Sequence, residues 1–463
     1  MLFRRAKVLA PLIAGALALS PGAAADPPAR PPIRATLAFQ KLTLPNGLTV
    51  LVHEDHRAAV IALRLSYRVG AKDDPANRRG MSKLMRRLLA DGSTRHLAND
   101  DRSKLAWTMG TERWDVHIDA DTDATWIELT VPSAALDLAL WMESDRMAFL
   151  ADGIEAETLA SWRKAQADDE LAGLDMPYAR VMPEVRRAVY GPEHPYSRTS
   201  ETSTELTAVT AAEMRARLHG WYGPANAVLT LAGDVTKDRA MSIVTRYFGP
   251  IVARPRPPAA APGAPAPAGE RRIRFEAAVD APRVVIAWPT PPLYHPDDVV
   301  FDAIASILMA RFKDRLMGSA PIAKDFAAAQ MSRHLGSEFA VFATLSPGHT
   351  IDEARAVMER EITRLQTEDS LPLEVERAGL QHLTSRLLRA DSPTGRAAML
   401  ASFELAAGDP GGFTGYVEAY RTVTPAAIRK AAVTYLRADR RVVAEVIPTL
   451  SAPKAGRLVG GGP

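Results

Sequence analysis

The sequence has 463 residues, of which 47% are hydrophobic and 24% are charged, and its formal net charge is only +3 at pH 7. This composition is typical of a globular protein, and the small net charge gives no support for a nucleic-acid-binding class. The length allows about two to four domains, each with a hydrophobic core of its own. The chain contains no cysteine, so its stability depends on core packing and not on disulfides.

The N-terminus has the three parts of a secretory signal peptide. MLFRRAK is basic, VLAPLIAGALAL is a short apolar run, and SPGAAAD supplies small residues for cleavage. We expect residues 1–25 to be removed after Ala25 and residues 26–37 to form an extended segment. Because the apolar run is short for a transmembrane helix, the sequence predicts an exported chain without a membrane anchor, either periplasmic or secreted.

Strand-like and helix-like patterns intermingle along the chain. In the first half we predict strands at 48–55 and 60–70, a helix at 80–90, a strand at 125–132, helices at 133–150 and within 155–190, and a strand at 226–235. In the second half we predict a strand at 283–290, a helix at 299–317, a strand at 338–348, helices at 352–368 and 372–390, and a strand at 440–450.

The two halves are separated by ARPRPPAAAPGAPAPAGE, a Pro/Ala-rich stretch that suits a semi-rigid linker. The predicted fold class is α+β, with two homologous lobes, because the order of elements in each half suggests a duplication. The predicted ranges are an N-terminal α+β domain at 38–252, a linker at 253–271, a C-terminal α+β domain at 272–450, and a flexible tail at 451–463.

One predicted helix, RRGMSKLMRRLLADGS at 78–93, has an unusual charge pattern. Its apolar side chains recur at helical spacing, at Met81, Leu84, Met85 and Leu88. Lys83, Arg86 and Arg87 fall together on another face, where like charges repel one another. The stability of the helix does not explain why these three cations lie on one face.

Several stretches of the chain resemble the pitrilysin/insulinase family of zinc metallopeptidases. They are residues 42–94, LWMESDRM at 140–147, YGPEHPYSRTSETSTELTAVTAAEMRARLHGWYGPANAVLTLAGDV at 190–235, AWPTPPLYHPDD at 287–298 and RFKDRL at 311–316. The resemblance covers residues 38–450. It implies two homologous α+β lobes that close like a clamshell around a peptide chamber.

The family's catalytic helix reads Gly-x-x-His-x-x-Glu-His, in which the two histidines bind zinc and the glutamate is the general base. The matching positions here are Lys83, Arg86 and Arg87. Arginine has no lone pair to give to a metal and cannot act as a base at neutral pH. The degenerate motif therefore predicts no catalytic residue, no metal site and no cofactor, although the family resemblance implies zinc.

Other family positions are altered as well. The third zinc ligand is expected near Asp168, with Asp169 and Glu170 as alternatives. Our hypothesis is that one of these carboxylates pairs with Arg86 or Arg87, and the alternative is an acidic solvent-exposed face. The family's substrate-binding strand reads His117-Ile118-Asp119-Ala120, and the second-lobe positions of its Arg/Tyr pair hold Met317 and Lys324.

The leading functional hypothesis is an exported pseudopeptidase. It would be the non-catalytic subunit of a heteromeric metallopeptidase, a heterodimer with an active zinc-bearing homologue, and would act on peptides or unfolded protein segments only through that partner. One alternative is a stand-alone peptide-binding module that uses the cations Lys83, Arg86 and Arg87. Another is an active zinc metalloendopeptidase with a displaced site. Neither nucleic acid nor a membrane is an expected partner.

Overall fold

Two six-stranded sheets organise the chain, as seen in a computed structural model that describes residues 36–110, 116–198, 203–263 and 269–460. The predicted signal peptide and most of the predicted extended segment lie outside the described residues. Residues 40–248 supply the first sheet and seven α-helices in the described ranges, and residues 271–460 supply the second sheet and six more α-helices.

The first lobe begins with a strand pair and has its helices inserted between strands. Its strands are β1 (Gln40–Thr43), β2 (Thr49–Glu54), β3 (Val60–Tyr67), β4 (His117–Ala120), β5 (Thr125–Pro132) and β6 (Ala227–Gly233). Its helices are α1 (Met81–Asp91), α2 (Asn99–Thr108), α3 (Leu136–Phe149), α4 (Ala156–Leu174), α5 (Val181–Tyr190), α6 (Ala211–Trp221) and α7 (Lys237–Phe248).

The second lobe follows the same plan. Its strands are β7 (Arg271–Ala277), β8 (Arg283–Thr290), β9 (Ala323–Met331), β10 (Ser337–Leu345), β11 (Val442–Pro448) and β12 (Arg457–Gly460). Its helices are α8 (Asp298–Leu316), α9 (Ile351–Thr367), α10 (Pro372–Ala390), α11 (Pro393–Ala407), α12 (Phe413–Arg421) and α13 (Pro425–Tyr435).

The two sheets have equivalent topologies. Their strand orders are β1-β2-β6-β3-β5-β4 and β12-β7-β11-β8-β10-β9. In each sheet a single pair is parallel, β2 with β6 and β7 with β11, and every other pair is antiparallel. The predicted α+β class with duplicated lobes is therefore confirmed. The duplication differs at one edge, where the first described strand, β1, corresponds to the last described strand, β12.

Two predicted segment boundaries need correction. Residues 451–460 are not a flexible tail, because Ala452 and Ala455 are buried and β12 pairs with β7, which satisfies the backbone groups of that edge. The predicted linker is also one residue too long, since β7 begins at Arg271. Residues 253–263 contain neither helix nor strand. The other domain boundaries stay a prediction.

Each lobe contributes a helix to the sheet of the other. α11 of the second lobe packs on β2, β3, β5 and β6, where Leu400 forms a buried cluster with Leu51 and Val228. In the opposite direction, α5 packs on β7, β8 and β11, and its Val185 shares a core cluster with Phe275. This helix exchange joins the described parts of the two lobes into one compact unit.

Ion pairs reinforce the exchanged helix α11. Glu404, only 4% exposed, accepts hydrogen bonds from Arg68 at 3.0 Å and from Lys41 at 2.7 Å, both in the first lobe. Nearer the start of α11, Arg396 pairs with Asp55, which follows β2. Charged groups at this depth need such partners, because an unpaired buried charge is strongly destabilising.

The Asp55 contact predicts how stability depends on pH. Hydrogen bonds from Arg57 and Arg396 hold the pKa of the Asp55 carboxyl well below its usual range. The unfolded pKa is about 3.9, so this contribution is present above that pH and is lost as the pH falls further. We expect Asp55→Asn to lower the thermal midpoint at pH 7, with the difference from the parent chain shrinking below about pH 4. Parallel melting curves of the two chains with a constant gap down to pH 3 would contradict this prediction.

Candidate functional site

Helix α1, which carries the degenerate motif, is held at its N-terminus by a buried carboxylate. Asp74 accepts the backbone N–H groups of Gly80 and Ser82 and the Ser82 hydroxyl, each at 3.0 Å. Gly80 has φ +85°, a conformation that costs glycine little. Burial raises the pKa of Asp74 to about 7, although Arg217 and Ser82 act in the opposite direction.

The C-terminal end of α1 is held by the LWMESDRM stretch of α3. Arg146 donates to the Leu89 carbonyl in the last turn of α1, and it also forms two hydrogen bonds with Glu143, at 2.9 and 3.1 Å. The Arg146 and Glu143 side chains are 1% and 0% exposed. The LWMESDRM stretch therefore holds in place the helix that bears the zinc ligands in the family. The presence of this stretch in the chain thus has a structural reason.

The cationic face of α1 lies against α4. Arg87 donates to Gln166 Oε1 at 3.2 Å and forms an ion pair with Asp169. On the adjacent turn, Lys83 lies 3.5 Å from Glu170 Oε1. The charges that would repel one another on an isolated helix are thus partly neutralised by carboxylates from the neighbouring helix.

Glu170 is the carboxylate directed most deeply into this cluster. Gln166 donates to its Oε1 at 3.1 Å, and its Oε2 is buried without a hydrogen-bond partner. Gln166, only 4% exposed, therefore bridges Glu170 and Arg87. An unpartnered buried carboxylate oxygen is costly, so this position favours a further donor, whether a ligand group or water.

A cavity of about 620 Å³ opens beside the cluster. It is lined by residues of α1, β4, α4 and the following turn: Lys83, Arg86, Asp119, Ala120, Gln166, Asp169, Glu170, Gly173, Leu174, Ala179 and Arg180. Among the described residues, neither Arg86 nor Arg180 has a side-chain hydrogen bond or ion-pair partner. The cavity thus presents two guanidinium groups that are free to bind an anion.

The predicted site residues do not all meet there. Asp168 points to solvent, where it pairs with Lys164 at 2.7 Å, as in the alternative of an acidic solvent face. His117 and Ile118 lie on β4, but only the next two residues of that strand line the cavity. Met317 follows α8 and Lys324 lies on β9, both in the second lobe and outside the lining.

Two polar residues of the lining, Gln166 and Arg180, were not predicted from the sequence. Gln166 lies four residues before Glu170, so helical spacing alone would place both on one face of α4. Arg180 lies beyond α4, in the turn where Tyr178 has φ +63°. No sequence pattern indicates that this turn brings a second guanidinium to the cavity.

The residues at the motif do not fit a zinc ion. Zinc requires nitrogen, sulfur or oxygen lone pairs in tetrahedral geometry, whereas these positions present an ammonium and two guanidiniums. The described residues contain no group of three or more histidine, aspartate or glutamate side chains arranged to hold a metal. The hypothesis of a displaced zinc site thus has no candidate ligand set in the described ranges.

Comparison with known proteins places the chain among peptidase-like folds. Residues 208–379 match the family model "Peptidase M16 inactive domain". A protease from Helicobacter pylori is 18% identical with a TM-score of 0.81, covering 89% of this chain and 100% of that one. A peptidase M16 inactive domain from Pseudomonas fluorescens is 17% identical with a TM-score of 0.80, covering 89% and 99%. No curated protein sequence matches the chain.

A further structure gives a length relationship. The periplasmic protease PqqL from Escherichia coli is 15% identical with a TM-score of 0.72, covering 90% of this chain but only 48% of PqqL. The chain thus spans about half the length of that protease.

The fold and the altered motif define a peptidase-like protein whose zinc-binding positions are cationic. The resemblance to the pitrilysin/insulinase family, M16, is confirmed by the family model over residues 208–379 and by the shared fold, and the described residues at the family's motif positions are cationic. In the described part of the chain, every helix is too short or too polar to span a membrane.

Proposed function

We propose that this chain is an exported, non-catalytic subunit that pairs with an active, zinc-bearing homologue. The observation that carries the proposal is that helix α1 is held in place although the residues at its motif positions cannot bind zinc or act as a base. Asp74 and Arg146 fix both ends of α1, yet all three motif positions are cations. A scaffold held in place without zinc ligands is what an architectural subunit requires.

The length of the chain supports pairing. It covers one half of the PqqL protease, so an equivalent enclosure would need a second half from another chain. A chain of Complex III2 from Candida albicans, a multi-subunit assembly, also shares the fold, with 15% identity and a TM-score of 0.72. Both comparisons favour assembly, and neither identifies the partner.

The proposal is tested by isolating the tagged mature chain from the cells that make it and measuring its native mass. We expect about twice the mass of the chain, with a different chain of similar size in equal amount. That second chain should carry an intact His-x-x-Glu-His motif and one zinc ion. Isolation of the chain alone, or only with itself, at native expression level would overturn the pairing.

The signal-peptide prediction is checked in the same preparation. N-terminal sequencing should begin at Asp26, and fractionation should place the chain outside the cytoplasm. A chain that retains Met1 in the cytoplasm would remove export from the proposal but would leave the pairing to be judged by the mass.

A second candidate function is peptide binding by the isolated chain, favoured by the free guanidiniums of Arg86 and Arg180. An acidic segment or a C-terminal carboxylate is the ligand that such a pair recognises. If the chain is isolated alone, charge reversal at Arg86 and Arg180 becomes the decisive variant. Unchanged affinity for an acidic peptide would argue against this candidate.

A further inference from the structure

A buried arginine of α2 has part of its guanidinium group without a partner. Arg102 is 6% exposed, and its Nη1 donates to the Gly92 carbonyl at 2.9 Å, just beyond the C-terminus of α1. Its Nε and Nη2 are also buried, and no described residue accepts a hydrogen bond from either atom. Buried donors without acceptors are costly, so this arrangement favours an acceptor from outside the described residues.

The charge of Arg102 is not neutralised by a direct contact with any described carboxylate. Burial and the neighbouring Arg146 lower the pKa of Arg102 to about 9, so its side chain still carries a charge at pH 7. Glu143, Asp145 and Asp91 act on this pKa in the opposite direction, but none of the three forms a hydrogen bond or an ion pair with Arg102. Glu143 is instead bonded to Arg146. Because an unpaired buried charge is strongly destabilising, the missing partner of Arg102 is expected to be an anion.

The two unpartnered donors of Arg102 lie on one edge of its guanidinium group. The Nε–H and one Nη2–H bond of an arginine are parallel, and this edge matches the two oxygens of a carboxylate. The chain uses the same edge elsewhere. Nε and Nη2 of Arg146 donate to Glu143 at 2.9 and 3.1 Å, and those of Arg311 donate to Glu374 at 2.8 and 2.9 Å. The free edge of Arg102 is therefore suited to a carboxylate.

A cavity of about 150 Å³ lies beside Arg102, between α1, α2, α3 and β4. Much of its lining is apolar and includes Ala106, Val116, Ile118 and Met142. It shares no lining residue with the cavity beside Lys83 and Arg86, so it is a separate space. Pockets for drug-sized ligands measure about 300–1,000 Å³. The volume and the lining thus suit a small molecule with a short apolar part.

We propose that this cavity binds a small aliphatic monocarboxylate. The carboxylate oxygens accept hydrogen bonds from Nε and Nη2 of Arg102, and the short apolar chain packs against Ile118 and Met142. The ligand supplies both the acceptor and the negative charge that Arg102 lacks. Because Arg102 also bonds the Gly92 carbonyl, the bound carboxylate stabilises the end of α1. This inference goes beyond the proposed function and does not depend on it, because it concerns the isolated chain.

The test titrates sodium propionate into the mature full-length chain at pH 7 and constant ionic strength, and it measures binding by calorimetry. We expect one site per chain, and no binding of propionamide, which has the same shape without the charge. Arg102→Met should weaken propionate binding about tenfold or more, because it removes the charge and both hydrogen bonds. Absence of propionate binding by the parent chain, or equal binding of propionamide, would overturn the proposal. Unchanged affinity in a folded Arg102→Met chain would do the same.

A second variant keeps the proposal falsifiable if Arg102→Met does not fold. Ser103→Leu places a larger side chain at a half-buried position of the lining and leaves Arg102 intact, so it should also weaken propionate binding. Lys104→Met removes a cation that is 75% exposed on the same helix, and this matched control should leave the affinity unchanged. Arg86→Met with Arg180→Met tests the other cationic cavity. Loss of propionate binding in either control, or full affinity in a folded Ser103→Leu chain, would overturn the proposal.

Discussion

Replacing Arg146 with methionine is expected to lower the free energy of unfolding by about 3–5 kcal/mol, the usual cost of breaking a buried ion pair. The substitution leaves Glu143 fully buried without a partner, and it removes the donor to the Leu89 carbonyl at the end of α1. Both groups would then lack the hydrogen bonds that compensate for their burial. The measurement is the denaturant midpoint of unfolding at pH 7.

Two control variants distinguish the effect of breaking the buried ion pair from the effect of removing any arginine. Arg95→Met breaks an exposed pair with Asp152 and should cost about 1 kcal/mol or less. The double variant Glu143→Met, Arg146→Met replaces both partners by apolar groups and should recover much of the loss. Equal midpoints for Arg146→Met and Arg95→Met would show that the buried pair does not hold α1.

The triple variant Lys83→His, Arg86→Glu, Arg87→His is expected to bind one zinc ion per chain, where the parent chain binds none. The substitutions restore two imidazoles at i and i+4 on a helix that is already held at both ends. Glu170 supplies a buried carboxylate from α4, with one oxygen that has no hydrogen-bond partner. Zinc content after dialysis against a weak chelator measures the effect.

This variant also separates metal binding from peptidase activity. We expect zinc without efficient peptide cleavage, because Met317 and Lys324 occupy the positions that resemble those of the family's second-lobe Arg/Tyr pair. Adding Glu170→Ala should abolish zinc binding, whereas Asp168→Ala should not, since Asp168 faces solvent. Less than one zinc ion per chain in a correctly folded triple variant would show that α4 does not supply a zinc ligand.

Local sequence patterns predict much of the fold, because the signals for these elements lie within the elements themselves. Alternation at 125–132 coincides with β5, and Pro372 at the first turn marks the start of α10. The predicted helical region 155–190 divides into α4 and α5 at a turn containing Pro177, which disfavours helix at the preceding residue. These elements required no knowledge of their neighbours.

Two elements that determine the architecture have no such signal. β9 reads AKDFAAAQM, which lacks β-branched residues, and becomes a strand only because β10 pairs with it along its length. α11 was not predicted, and its position on the sheet of the other lobe is a long-range contact that periodicity does not encode. The same holds at the candidate site. Helical spacing places Lys83, Arg86 and Arg87 on one face of α1, but it does not indicate which of these cations is neutralised by α4.

The helix exchange has a consequence for the order in which the chain folds. One face of the first sheet is completed by Leu400 of α11, more than 150 residues after β6, the last strand of that sheet. While the chain emerges from the ribosome, or crosses a membrane from the N-terminus onwards, that face stays exposed until residues 393–407 arrive. A chaperone is therefore expected to protect it until then, and a chain truncated before residue 393 should aggregate and not accumulate as a folded first lobe.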